Sequence, residues 1–220
     1  MTENILLPII LLPAFLGALL FLLPLRASRV AFFLSALFNA ILTFSIFGQQ
    51  VSYAVPWAGF GLDFSLRLYH FSGFILAACA FFGLSIAVYS LKFMSDKQNQ
   101  KQFYACLLLS LSFVNGAVLA DNLALLLFFW EALLVTMFFM INIGSDRAYP
   151  TAKKAFIIVG FSDICLMAGV ILSGILGGTL NISGMHLSCG GLSSAAFILL
   201  IVGALAKAGS MPFHTWIPNA

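Results

Sequence analysis

Charge is scarce in this chain. Of its 220 residues, 8% are Asp, Glu, Lys or Arg and 62% are hydrophobic. A soluble domain of this size needs far more charge on its surface, so the composition excludes that class and describes a polytopic membrane protein. Cysteine is also rare. Cys79, Cys106, Cys165 and Cys189 form no Cys-x-x-Cys pair and give no basis for an iron–sulfur cluster. Three of them lie in apolar runs, where a thiol acts as a small packing group. Cys189 falls in a loop with no evident partner, so no disulfide is predicted. Of the histidines, His70 and His186 read as surface residues, and with His214 they make no haem or metal site. No Gly-rich phosphate loop is present, so no nucleotide site is predicted. Neither a cofactor nor a nucleic-acid partner is expected.

What the chain does hold is apolar length. Seven runs, near 5–24, 30–47, 70–91, 103–120, 123–142, 155–176 and 195–217, approach the roughly 20 residues that span a bilayer. The start Met1-Thr2-Glu3-Asn4 has no basic residue, and no small-residue cleavage site follows the first run, which is therefore read as a retained helix. The expected fold is all-α, with about seven transmembrane helices. Residues 1–48 supply two of them, 49–69 an external segment, and 70–220 helices three to seven.

Basic residues set the expected orientation. Arg26 and Arg29 follow run one; Lys92, Lys97 and Lys101 follow run three; Arg147, Lys153 and Lys154 follow run five. These are alternate loops, and the positive-inside rule places them in the cytoplasm, the N-terminus outside and residue 220 inside. The expected location is a prokaryotic cell membrane, crossed several times. The segment from Gln49 to Tyr69 reads as a short hairpin or irregular cap, in which Asp63 and Arg67 would pair if it were helical. Either Asp121 or Asn122 would cap helix five, and for Asp121 that structural role is expected over a functional one. Gly177 to Gly191 reads as an external Gly/Ser-rich loop.

Glu131, Asp163 and Lys207 interrupt the apolar pattern. Placing an ionisable group at the centre of a bilayer costs at least about 2.5–3.5 kcal/mol, and all three fall in the middle third of the membrane by depth. A carboxylate within about 4–6 Å of Lys207 would keep both groups charged, whereas desolvation alone favours a neutral amine. A proton added to Glu131 would then break the pair and free Lys207 to pass its own proton on. The seventh run adds small residues, which let backbones approach, and Pro212, which removes one backbone N–H and frees the carbonyl of Ala208. A broken helix close to a buried lysine marks ion-handling sites in transporters. His214, seven residues after Lys207, would share its helical face and relay protons to the cytoplasm, or else sit at the interface. Asp163 either takes part in proton movement or satisfies polar groups beside Ser162. The plain alternative for the whole cluster is a static ion pair that locks the packing of a structural membrane anchor.

Two stretches carry a family resemblance. Leu119-Ala120-Asp121-Asn122-Leu123 with Phe129-Trp130-Glu131 resembles the fifth helix of antiporter-like membrane subunits, and Gly203 to Pro218 resembles their seventh. Gly178-Thr179-Leu180-Asn181 is similar to a loop common among them. These subunits occur in respiratory complex I, in membrane-bound hydrogenases and in multisubunit cation/proton antiporters. The resemblance runs from about residue 60 to 220. It implies that Glu131 and Lys207 are the coupled pair of a first half-channel within one antiporter-like repeat, with a broken seventh helix. Asp163 matches an acid found in some members, and near Tyr69 the chain lacks an acid that members often have. Members usually have about fourteen helices, so the chain corresponds to an N-terminal half, a split subunit or a fragment. The implied function is proton, or sodium, translocation by a subunit without a redox centre. Its host would be a redox-driven complex such as NADH:quinone oxidoreductase or a membrane-bound hydrogenase, whose other subunits supply the quinone or hydrogen chemistry and the second half-channel. A multisubunit cation/proton antiporter is the alternative host.

Overall fold

The computed structural model describes residues 5–59, 62–144, 148–188 and 190–219. Arg147 and Cys189 lie outside the described residues, as do Met1 to Asn4. Among the described residues, seven α-helices and one two-stranded hairpin form: α1 Leu6–Leu19, α2 Leu25–Ser45, β1 Val51–Gly59, β2 Leu62–Leu68, α3 His70–Phe93, α4 Gln100–Leu119, α5 Leu123–Asn142, α6 Tyr149–Gly177 and α7 Gly191–Lys207. Helices α2 to α6 are long and apolar enough to cross a membrane; α1 and α7 are apolar but shorter, at 14 and 17 residues. Short 3-10 segments occur at Ile182–Gly184 and Phe213–Asn219.

Helices α2 and α6 start earlier than their apolar runs do. Proline marks both starts. Pro24 is the N-cap of α2, and Pro150 occupies the first turn of α6. The missing N–H costs nothing there, because first-turn donors have no helical acceptor. The segment before α3 is a hairpin. Its second strand, β2, is extended where a helix is the condition for pairing, and Arg67 lies 5.0 Å from the centroid of the Tyr69 ring. Asn122, not Asp121, caps α5: its side-chain oxygen accepts from the N–H groups of Ala124 and Leu125.

The chain divides into two compact units, Met1–Val55 with Phe64–Ala120, and Pro56–Asp63 with Asp121–Ala220. In the first, α1 to α4 pack around Leu20, Phe32, Ala36, Ala87, Met94, Tyr104, Ala105 and Leu108. The Phe32 and Tyr104 rings stack at 4.5 Å. Pro13 lies inside α1 and so deprives the Ile9 carbonyl of its helical donor. Two buried amides replace it: Asn39 donates to Ile9 O at 2.8 Å and Asn115 at 3.1 Å. Asn115 also donates to Asn39 Oδ1 at 3.2 Å, and Ser112 to Ile10 O at 2.6 Å. An unpaired carbonyl in an apolar interior is costly, so these polar residues follow from the proline. At one end of this unit Arg29 donates to Gln100 Oε1 at 2.6 Å, and Lys101 to Phe21 O at 3.1 Å.

In the second unit, α6 packs on both α5 and α7. The α6–α7 approach is set by two glycines. A Cβ added at Gly203 would meet Leu166 Cβ at 2.6 Å, and one at Gly169 would meet Leu200 at 2.9 Å. Leu166 therefore faces Gly203, and Gly169 faces Leu200. One further step of three residues along α6 brings Asp163 to the end of α7, beside Lys207.

Candidate functional site

Lys207 is the last residue of α7 and not, as the apolar run 195–217 suggests, the middle of a longer helix. The stop is a Schellman-type turn. Gly209, at φ +67°, sends its N–H to Ala206 O at 3.0 Å, and Ser210 sends its N–H to Leu205 O at 2.9 Å. The helix is thus already closed off before Pro212, which lies within the break. A cation in the last turn is favoured by the negative end of the helix dipole.

The Lys207 side chain is only 14% exposed. Its Nζ donates to the Trp130 carbonyl at 2.5 Å, lies 4.4 Å from the Trp130 ring centroid, and stands 4.0 Å from Asp163 Oδ2. Asp163 is 2% exposed, and its other oxygen, Oδ1, accepts from the Trp130 indole N–H at 2.9 Å. Asp163 Oδ2 has no hydrogen bond. Ser162, whose Oγ donates to Val159 O at 2.7 Å, is satisfied within its own helix and leaves Asp163 to this cluster.

Glu131 stands apart from the tight pair. Among the described residues, the ion pair that Lys207 forms within 4.0 Å is with Asp163, and no ion pair within that distance joins it to Glu131. Glu131 is half-buried, and its Oε1 is buried without a hydrogen-bond partner. Its charge interacts with both neighbours, repelled by Asp163 and attracted by Lys207. It lines a shallow apolar groove with Ala124, Leu127, Phe128, Ala132 and Val135.

His214 is in the 3-10 segment beyond the break, so the seven-residue spacing does not put it on one helical face with Lys207. Its Nδ1 is buried and has no hydrogen-bond partner. The segment is tied to α6 by Lys154, whose Nζ donates to Thr215 O at 2.8 Å.

Trp130 touches both charged partners, a role that sequence reasoning misses. The available signal is chemical: an indole N–H in an apolar helix needs an acceptor, and the buried Asp163 is the acid left without a fixed role. The structural use of the 178–181 loop is missed as well. Leu123 N–H donates to Leu180 O at 2.9 Å, Ile182 N–H to Asp121 O at 2.8 Å, and Asn122 Nδ2 to Asn181 Oδ1 at 2.9 Å. Asp121 accepts from the Ser183 hydroxyl at 2.6 Å. The loop thereby pins the start of α5.

The chain is similar to several known proteins. Residues 120–220 match the family described as NADH:quinone oxidoreductase/Mrp antiporter, TM. A Na(+)/H(+) antiporter subunit from Staphylococcus saprophyticus is 28% identical over 208 residues, which is 91% of this chain and 25% of that protein. A probable K(+)/H(+) antiporter subunit from Rhizobium meliloti is 29% identical over 181 residues, 79% of this chain and 18% of that protein. The chain thus spans a quarter or less of these curated relatives. In fold it is similar to a chain of respiratory complex I from Thermus thermophilus, with a TM-score of 0.85 and 21% identity over 97% of this chain and 46% of that one. It is also similar to a chain of the Mrp complex from a Dietzia species, with a TM-score of 0.79 and 19% identity over 97% of this chain and 25% of that one.

Proposed function

From the premise that this chain belongs to the antiporter-like membrane-subunit family, we propose that its second unit moves protons, with Lys207 as the group that gives and takes them. One observation carries the reading. The Lys207 amine is held in the protein interior against one carboxylate, Asp163, while a second acid, Glu131, acts on it without a bond of its own at Oε1. A static pair needs one acid. Two acids of unequal distance offer the amine two partners. A proton arriving at Glu131 cancels one of the two negative charges facing Lys207, and the ammonium then hands its proton to the next base. His214, with an unpartnered ring nitrogen beyond the helix break, is the candidate for that base.

The test is substitution of the lysine in the complex that contains this chain, reconstituted in vesicles. Lys207→Met should abolish proton movement while the complex assembles. Lys207→Arg should fail as well, because a guanidinium does not release its proton in proteins. Full activity of the arginine variant would reduce Lys207 to a packing charge, as in a structural anchor.

Two hosts fit, and the partners differ accordingly. The sequence relatives named above favour a multisubunit cation/proton antiporter; the family description and the fold also fit a redox-driven complex of the NADH:quinone oxidoreductase type. In either host, other membrane subunits would be its partners. Exchange of a cation for protons in vesicles that hold no electron donor decides for the antiporter. For orientation we propose the N-terminus outside. Arg29 and Lys101 bind at one end of the first unit, which supports a common basic end there. In a cysteine-free background, a membrane-impermeant thiol reagent applied outside should label His186→Cys and spare Gln98→Cys; the reverse pattern inverts the topology.

A further inference from the structure

Trp130 meets the charged cluster with three separate groups. Its carbonyl accepts from Lys207 Nζ, its ring lies 4.4 Å from the same nitrogen, and its indole N–H holds Asp163 Oδ1. The two Asp163 oxygens are thereby divided: Oδ1 belongs to the indole, and Oδ2 faces the ammonium without a hydrogen bond. Glu131 is the next residue of α5. A helix turns about 100° per residue, so Glu131 leaves α5 on the adjoining face, along the groove with Leu127 and Val135. Trp130 therefore lies between the acid that Lys207 holds and the acid that it does not.

We propose that Trp130 is the positioning residue about which Lys207 changes partner: the carbonyl and ring hold the ammonium, and the indole fixes Asp163 as its acceptor. This rests on the reading that Lys207 moves protons. Attraction to an aromatic face acts on the charged amine and not on the neutral one. The ring accordingly retains Lys207 while it is protonated and releases it once the proton has gone. The swing towards Glu131 then turns about a fixed point of α5 and needs no rearrangement of the helix.

Proton movement per assembled complex in vesicles tests this with Trp130→Phe, Trp130→His and Trp130→Leu, alongside Lys207→Met. Phe keeps a ring and loses the donor to Asp163, so turnover should fall roughly ten-fold, the size of a lost hydrogen bond to a charged group. His keeps a ring and a donor in a smaller frame and should retain more turnover than Phe. Leu, with neither, should retain least. A packing role ranks the variants by volume and puts Phe above His; that order overturns the proposal, as does wild-type turnover in all three. Should the Phe variant fail to assemble, the order of His and Leu decides on the same terms. If Lys207→Met moves protons normally, the functional reading itself fails. If it is inactive while the Trp130 variants are unaffected, only the positioning role fails.

Discussion

Asp163→Asn removes a charge and keeps a shape. The amide oxygen can still accept from the Trp130 indole, so the variant isolates the electrostatic part of the pair. Two unit charges 4.0 Å apart attract by about 4 kcal/mol at an effective dielectric constant of about 20. Removing one partner of a buried pair costs about 3–5 kcal/mol by mutation. Lys207 keeps the Trp130 carbonyl and ring and the charge of Glu131. The expected loss is therefore at or below the lower end, about 2–3 kcal/mol. Replacing both partners, Asp163→Leu with Lys207→Leu, leaves no desolvated charge in the pair and should be more stable than Asp163→Asn, while the Trp130 indole N–H loses its acceptor. The double variant should nevertheless move no protons. The assay pairs two readouts on the same preparations: the temperature of aggregation of the detergent-solubilised complex, and proton uptake after reconstitution. Wild-type stability and wild-type uptake in Asp163→Asn would mean that the pair contributes nothing. Proton uptake by the double leucine variant would show that the pair serves packing alone.

The same geometry sets further outcomes. Gly209→Ala places a Cβ at positive φ, which costs about 1–2 kcal/mol, and against the Ile217 side chain; Gly48→Ala, also at positive φ but with no atom near, should cost only the conformational part, and equal thermal shifts in the two would refute the clash. Asn122→Ala should destabilise by about 1 kcal/mol or more, since it loses both the α5 cap and the bond to Asn181; an unchanged melting temperature would refute the cap. Asn39→Leu and Asn115→Leu should each cost about 1–3 kcal/mol, because each removes one donor to Ile9 O and the bond between the two amides; no thermal shift in either would refute the need for donors at that carbonyl. Glu131→Gln should assemble with near-wild-type stability, having no bond to lose at Oε1, yet lose proton uptake; unaltered uptake would remove Glu131 from the path.

Membrane character, the helices and the candidate charges are legible in the sequence. They depend on local composition: an apolar run of bilayer length has few alternatives to a helix, and a charge within it is conspicuous wherever its neighbours lie. The end of α7 is equally local. Lys207, Gly209 and Pro212 form a helix stop of Lys in the last turn, Gly after it and Pro beyond, and a reading that weighs the proline over the glycine runs the helix too far. What Lys207 touches is decided only by the tertiary structure. Depth along a helix is readable from residue number, but rotation and register between helices are not. Those follow from where two backbones can approach, at Gly169 against Leu200 and Gly203 against Leu166, and that register delivers Lys207 to Asp163 and Trp130 and leaves Glu131 to one side. The polar residues around Ile9 teach the same point: Pro13 announces an orphaned carbonyl in α1, but packing alone selects Asn39 and Asn115, 26 and 102 positions along the chain from that proline, as its donors.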